Sequence, residues 1–460
     1  LSLVFGCTST KYVPKDKYLL ARLKIKTNNK QIKPKDLEPY IRQKPNKKSL
    51  NILNLPLWLY NISSSDTNKW LNRTLRKVGE EPVVYDSTLA ERGKEQIQQY
   101  LFNNGYFDGV IKKDVVFKKR KAIIIFTIDT KKPYKISKIL YTIEDSSLHS
   151  ILISDTSKCK IKQNSIFNID ILQEERQRIE YLFRNNGYYA FSKDYINFEL
   201  DTFKINNSII INTIIKNPII KSGSGEIIKT SHQKYIINDL QVWIDNQRAS
   251  DTLNYNPDSI MYDIHTINDI SYFFRDKINI RPEILANHIF INRNNPFKQK
   301  DVDETFNGLS SLQIFKFINI GFIESSAPSE NNDSNKTLDC KIQLITQNTQ
   351  LIQPEFELTS NIGLGASGKL SYKHRNIFKG AEIFYIRLKG TSEAIKSKEK
   401  LDFKNTLEYS IESGIDIPKF VVPFNATMFI REYNPHTNIS GSFNYIRRIH
   451  YTHQFFNTSF

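Results

Sequence analysis

Ile97-Gln98-Gln99-Tyr100-Leu101-Phe102-Asn103-Asn104-Gly105-Tyr106-Phe107 occurs a second time in the chain, as Ile179-Glu180-Tyr181-Leu182-Phe183-Arg184-Asn185-Asn186-Gly187-Tyr188-Tyr189. Aligned on the glycine, the copies share the isoleucine, an apolar pair (Tyr100/Leu101 against Leu182/Phe183), Asn-Asn-Gly and the following tyrosine, at an offset of 82 residues. Solenoid repeats recur at about 20 to 50 residues, so this period points to tandem domains. Each copy reads as the end of a helix. Leu89, Gly93, Ile97 and Leu101 lie four apart with Tyr100 beside them, and Thr88 to Glu91 has capping-box spacing. Asn-Gly supplies the left-handed backbone that closes a helix, and the aromatic after it can fold back onto the helix it has just left.

What surrounds each copy repeats as well. Val110–Phe117 and Ala122–Asp129 follow the first as a hairpin in outline, separated by Lys118–Lys121; Tyr195–Leu200 and Ser208–Lys216 follow the second. A strand and a shorter helix precede each, Tyr18–Thr27 with Lys35–Arg42 and Ile136–Ile143 with Ser146–Ser154. The unit is β-α-α-β-β. With a second helix ending in Asn104-Gly105-Tyr106-Phe107 and Asn186-Gly187-Tyr188-Tyr189, it resembles the POTRA domains of the BamA/TamA family of outer-membrane proteins, whose second helix commonly ends in a Gly-Tyr-Phe turn.

The expected domains are residues 11–134 with an insertion at 44–86, residues 135–220, and a divergent third copy at 231–350, joined to the second by the flexible Ser222-Gly223-Ser224-Gly225. The insertion holds Leu55-Pro56-Leu57-Trp58-Leu59-Tyr60 and Trp70, expected to form a local core, with a membrane-interface role as the alternative. In the third copy Tyr235–Asp245 alternates as a strand, Pro282–Ile289 is a short helix and Asp301–Phe315 a longer one. Phe315–Glu324 and Thr337–Thr346 close it around the polar loop Pro328–Lys336, and Met261–Lys277 is an inserted hairpin. Its ending, Ser311-Leu312-Gln313-Ile314-Phe315, resembles the Leu-Gly-x-Phe of the family's last POTRA domain, with Gln313 where glycine is expected and Phe315 as the turn aromatic.

From Pro354 the period becomes two. Phe356, Leu358, Ser360 and Ile362 alternate with Glu355, Glu357, Thr359 and Asn361. Phe384, Ile386 and Leu388, then Leu407, Tyr409 and Ile411, alternate with their neighbours in the same way. Strands of about ten residues, apolar outward and polar inward, are the signature of a transmembrane β-barrel. Lys373–Glu382 and Asn434-Pro435 leading into Ser440–Arg448 resemble the start of the family barrel. The fold class is therefore expected to be α+β: tandem β-α-α-β-β POTRA domains, then the first strands of an antiparallel transmembrane barrel at 354–460. About six strands fit there, against at least eight in bacterial barrels and sixteen in this family's pattern, and the family's Arg-Gly-Phe motif is absent. The chain is accordingly expected to be a fragment.

In 460 residues, 39% hydrophobic with 12% aromatic, there is material for three or four cores. The +17 charge invites a nucleic-acid reading, but the lysines are spread through loops and hairpins with no zinc-finger or RRM signature, so a basic surface near anionic lipid fits better. Cys7 follows the apolar Leu1-Ser2-Leu3-Val4-Phe5-Gly6 and precedes Thr8-Ser9-Thr10, which resembles the cleavage point of a bacterial lipoprotein signal. Residues 1–10 are read as signal remnant and tether, with Cys7 the lipidation site, and this narrows the resemblance to the lipoprotein, TamL-type variant of Bacteroidetes. Cys159 and Cys340 fall in different domains, which disfavours a disulfide, and none of the cysteines has metal-ligand spacing. Gly363-Leu364-Gly365-Ala366-Ser367-Gly368 spells G-x-G-x-x-G but leads into another alternating segment rather than the helix that dinucleotide binding requires. His450 and His453 face opposite sides of a strand, so no metal site is expected, and no nucleophile, base and acid are arranged for catalysis. No enzyme activity and no cofactor are expected.

The resemblance implies an outer-membrane assembly factor with periplasmic POTRA domains. Its partners would be unfolded outer-membrane proteins or other client polypeptides, the lipid bilayer, and a TamB-like periplasmic protein. Clients would pair with the barrel's first strand at Phe356, Leu358, Ser360 and Ile362 by β-augmentation. A polypeptide secretion pore and a periplasmic scaffold are the alternatives.

Overall fold

A computed structural model describes residues 9–47, 54–66, 68–221, 227–245, 262–275, 280–325, 335–359, 364–396, 403–419, 435–448 and 451–460. The architecture is α+β, and the chain divides into two compact units, residues 1–180 with 192–230 and residues 181–191 with 231–460. Cys7, Ser360, Ile362, Ser222–Gly225 and His450 lie outside the described residues.

The first unit opens with β1 (Leu19–Thr27), the short α1 (Pro34–Leu37), the insertion helices α2 (Leu55–Ile62) and α3 (Trp70–Val78), then α4 (Ser87–Asn103), β2 (Val110–Lys118) and β3 (Lys121–Asp129). The sheet order is β1-β3-β2, parallel between β1 and β3 and antiparallel in the β2–β3 hairpin. Helix α4 forms because its apolar residues recur on one face. Ala90, Gly93, Ile97 and Leu101 are buried, so Ala90 takes the place expected of Leu89. The cap also differs from the sequence reading: the Asp86 carboxylate, not Thr88, accepts from the N–H groups of Thr88 and Leu89 at 2.7 and 3.2 Å. Two cap-forming residues stand two apart, and the one on extended backbone wins. Ile97 and Leu101 close on Ile124, Phe126 and Ile128 of β3, each side chain stabilising the module by about 1.5–3 kcal/mol through burial.

The same plan follows in β4 (Lys135–Ile143), α5 (Ser146–Ser154), α6 (Ile169–Arg184), β5 (Ile196–Phe203) and β6 (Ser208–Ile215), in the order β4-β6-β5. Residues expected to be a plain join are flanked by a two-stranded ladder, β7 (Ile219–Lys221) against β8 (Ile227–Lys229).

In the second unit the plan recurs a third time, with β9 (Tyr235–Asp245), β10 (Tyr262–Ile267), β11 (Ile270–Arg275), α7 (Pro282–Asn287), α8 (Gln299–Ser311), β12 (Phe315–Glu324) and β13 (Lys336–Thr346). The core order β9-β13-β12 is that of the other two, and the inserted hairpin extends the sheet by pairing β11 parallel to β9. Helix α8 stops at Ser311 and Phe315 opens a strand, so the closing turn lies at Gln313, whose φ of +53° puts a glutamine in left-handed backbone. One irregularity occurs in all three modules. The first strand carries one extra residue relative to its parallel partner, Ala21, Ser137 and Asn238 respectively.

The remaining strands, β14 (Gln350–Thr359), β15 (Leu364–Arg375), β16 (Ile383–Lys396), β17 (Phe403–Ile417), β18 (Thr437–Arg447) and β19 (Thr452–Ser459), form one antiparallel meander in sequence order. It begins at Gln350, four residues before the alternation read from the sequence. The turn after β15 sits against the third module: Arg281 donates its N–H to the Lys379 carbonyl at 3.0 Å and Nη2 to that of Phe378 at 2.9 Å, and Ala381 joins that module's core.

Candidate functional site

Each Asn-Gly turn is built alike. Asn104 Nδ2 donates to the Tyr100 carbonyl and Asn186 Nδ2 to that of Leu182, both at 2.8 Å, while Tyr106 N–H returns to Leu101 and Tyr188 N–H to Phe183. Gly105 and Gly187 have φ of +83° and +97°, a region that costs an L-residue about 1–2 kcal/mol. The glycine carbonyls then reach onward. Gly105 O accepts from Tyr134 N–H at 2.8 Å and Gly187 O from Tyr235 N–H at 2.9 Å, so the turn that ends one module's helix receives the residue just before β4 in one case and the first residue of β9 in the other. The aromatic after the turn reinforces this. Phe107 folds back edge-on to Phe102 (4.6 Å) and also meets Tyr134 (5.0 Å) and Phe167 (5.3 Å). Tyr189 lies against Tyr235 (5.5 Å) and Phe297 (5.1 Å), with the Arg184 guanidinium 5.4 Å from its ring. The turns are therefore joints as well as helix stops. The receiving residues Tyr134, Phe167, Tyr235 and Phe297 were not legible in the sequence, because inserted residues change their spacing from 33 to 62.

The meander has two unlike faces. Direct partners across it run Phe356–Gly368–Gly390–Tyr409–Tyr445 on one face, and Glu355–Lys369–Lys389–Ser410–Asn444 on the other. Every large apolar side chain recorded as exposed within these strands, from Ile352 and Phe356 through Leu388 and Tyr409 to Phe456, lies on the first face. Phe356 and Leu358 are 89% and 87% exposed. Gly368 and Gly390 leave an apolar depression there between the rings of Phe356 and Tyr409. The other face carries ion pairs, Lys369–Glu355 at 3.2 Å and Arg387–Glu412 at 2.8 Å. Water would penalise the apolar face, whereas hydrocarbon would leave it at no cost.

At one margin of this sheet β14 pairs, among the described residues, with β15 alone. Arg375 N–H donates to the Thr349 carbonyl at 2.7 Å. Backbone groups alternate sides along an antiparallel strand, so odd-numbered residues of β14 bond to β15, and Ile352, Pro354, Phe356 and Leu358 direct their groups to the open side. Pro354 has no N–H to offer there, the orientation in which a proline costs an edge strand nothing.

Residues 18–131 match the family model POTRA, described as surface antigen variable number repeat. These residues form a POTRA domain. No curated protein matches the chain. Among solved structures, POTRA domains 3–5 of Haemophilus influenzae BamA are 12% identical over 73% of this chain and 99% of that one, with a TM-score of 0.32. BamA from Haemophilus ducreyi lacking POTRA domains 1–3 is 10% identical over 69% of this chain and 52% of that one (TM-score 0.31), and CdiB from Acinetobacter baumannii 8% over 71% and 55% (TM-score 0.26). The chain spans about half the length of the latter two.

The POTRA domain's insertion departs from expectation. Leu57 packs with Val13, Leu19 and Val84, but Trp70 is 73% exposed and takes no part in that core. Gly365 and Gly368 lie in β15, with no helix following, and His453 lies in β19. Cys159 and Cys340 are free thiols, and among the described residues no group of three or more His, Cys, Asp or Glu is placed to hold a metal. No helix among the described residues is long and apolar enough to cross a membrane.

Proposed function

We propose that the chain is a BamA/Omp85-type outer-membrane protein that promotes assembly of other outer-membrane proteins. In this reading residues 11–134, 135–220 and 231–350 are POTRA domains in the periplasm that receive client polypeptides, and residues 354–460 begin a barrel whose apolar face meets lipid. The observation that carries it is the meander after POTRA-type modules, with its exposed apolar side chains confined to one face. A client strand would add at the open side of β14, taking main-chain hydrogen bonds there with little side-chain selection; Phe356 and Leu358 supply donors and Pro354 none. Cys7 would be diacylated, since one acyl chain holds a protein to membrane only marginally and two hold it stably. Mass spectrometry of the native N-terminal peptide tests that step, and an unmodified Cys7 rejects it.

The charged inner face suits a polypeptide-conducting lumen as well, which is the secretion reading. Depletion separates the two: broad loss of barrel proteins from the outer membrane supports assembly, and loss of one exported protein with barrel proteins unchanged supports secretion. If neither changes, both readings fail and a scaffold for a TamB-like partner is left.

A further inference from the structure

Helix α3 leaves most of its apolar side exposed. Around its axis Trp70, Thr74, Val78, Leu71 and Leu75 make one continuous arc, apolar but for Thr74, and Asn72, Arg73, Arg76 and Lys77 make up the remainder. In a globular domain the apolar arc faces the core. Here only Asn72, Leu75 and Arg76 are half-buried, and the rest of the helix, most of the apolar arc included, is exposed. Asn72 accepts from Ser64 N–H at 3.1 Å, and Arg76 bonds Ser63 Oγ at 3.2 Å and lies over the rings of Tyr12 and Tyr60. Trp70, Leu71 and Val78 are left 73%, 54% and 65% exposed. On α2, Leu55 and Ile62 are also exposed. The exposed apolar arc is edged by Lys69, Arg73 and Lys77, all exposed, and the helix carries no acidic residue.

We propose that α3 docks this insertion onto an anionic bilayer surface, with Trp70, Leu71 and Val78 entering the interface and Lys69, Arg73 and Lys77 meeting lipid phosphates. An exposed tryptophan and aliphatic stripe beside lysine and arginine is the composition of interfacial helices, and the charge complements phosphate. The helix cannot turn its apolar side inward, because Arg76, Asn72 and the close approach of Gly79 to Tyr60 and Pro56 fix its rotation.

The test uses the whole chain in a Cys7→Ser background, so that no acyl chain brings the domain to the membrane. Emission of Trp70 is isolated as the difference between this chain and its Trp70→Phe variant, with vesicles of phosphatidylcholine alone or with about one third phosphatidylglycerol. The expected result is that Trp70 emission shifts to the blue, is quenched by doxyl-labelled lipid and is shielded from iodide in the anionic vesicles. Arg73→Glu with Lys77→Glu, both on exposed positions, should weaken that response at least about tenfold. Trp70 equally open to iodide with and without vesicles would overturn the proposal. So would a response indifferent to lipid charge and to the double reversal, or shielding produced by a soluble periplasmic fraction and not by lipid, which would make the surface a protein interface.

Discussion

Replacing the two turn glycines by alanine should have unequal consequences, although the turns are alike in sequence and in φ. Both substitutions put an L-residue into left-handed backbone, at about 1–2 kcal/mol. At Gly187 nothing is added to that, since the nearest atoms to a new Cβ are the flexible Lys234 side chain at 3.6 Å or more. At Gly105 the Cβ would stand 2.7 Å from the Phe167 carbonyl oxygen, 3.2 Å from Ile166 Cγ2 and 3.3 Å from Phe167 Cβ. Phe167 is 1% exposed and packs on Phe107, so it cannot yield without opening the joint, and overpacking of this kind costs about 1–3 kcal/mol more. Gly187→Ala should therefore raise local opening about tenfold and Gly105→Ala about a hundredfold or more. Asparagine, which tolerates left-handed backbone, should recover most of the loss at 187 and little at 105. Amide hydrogen exchange over residues 97–110 and 179–191 in the whole chain reads both sites in one sample. Equal effects at the two positions, or recovery by asparagine at both, would refute the claim that Gly105 serves the joint as well as the helix stop.

Three other outcomes follow from single sites. Arg178 pairs with the buried Glu175 at 2.7 Å and with Asp155; Arg178→Met should destabilise that module by about 3–5 kcal/mol in urea unfolding, and a second change, Glu175→Gln, should restore much of it. His288 is buried with Nδ1 donating to the Ile284 carbonyl at 2.7 Å, and burial first, then the nearby His436, holds its pKa below the ordinary value. The unfolded chain thus binds the proton more readily, so the third module should lose stability as pH falls below about 6.5, and His288→Gln should flatten that slope. Gln313→Gly should stabilise the same module by about 0.5–1 kcal/mol, because it relieves left-handed strain, with a shifted thermal midpoint as the readout.

Much of this architecture is legible in the residues. Asn-Gly after an apolar stripe marks where a helix ends, and β-branched runs mark hairpins, because backbone conformation acts on residue choice within a few positions. The alternation of Phe356 and Leu358 with Glu355 and Glu357 announces a two-faced strand for the same reason. Features set by distant partners leave no such trace. The extra residue in each first strand, at Ala21, Ser137 and Asn238, alters register without demanding a residue type. Tyr134 and Tyr235 receive the joints from across inserted segments of different length. The pattern of α3 reveals an apolar stripe but not which part of it is packed, so Trp70 reads as core until Asn72, Leu75 and Arg76 are seen to form the packed side. Sequence patterns report faces; the partners of those faces come from topology.

The central claim is that the meander stands in a bilayer with one face to lipid. Single cysteines placed on β14, β17 and β18 at Leu358, Tyr409 and Phe443, and at Glu357, Ser410 and Asn444, can carry spin labels in the chain recovered in outer-membrane vesicles, with Cys159 and Cys340 replaced. The first three are expected to collide with oxygen dissolved in lipid and to be shielded from a water-soluble nickel chelate, and the second three to do the reverse. Labels at all six positions equally open to the chelate would contradict that claim.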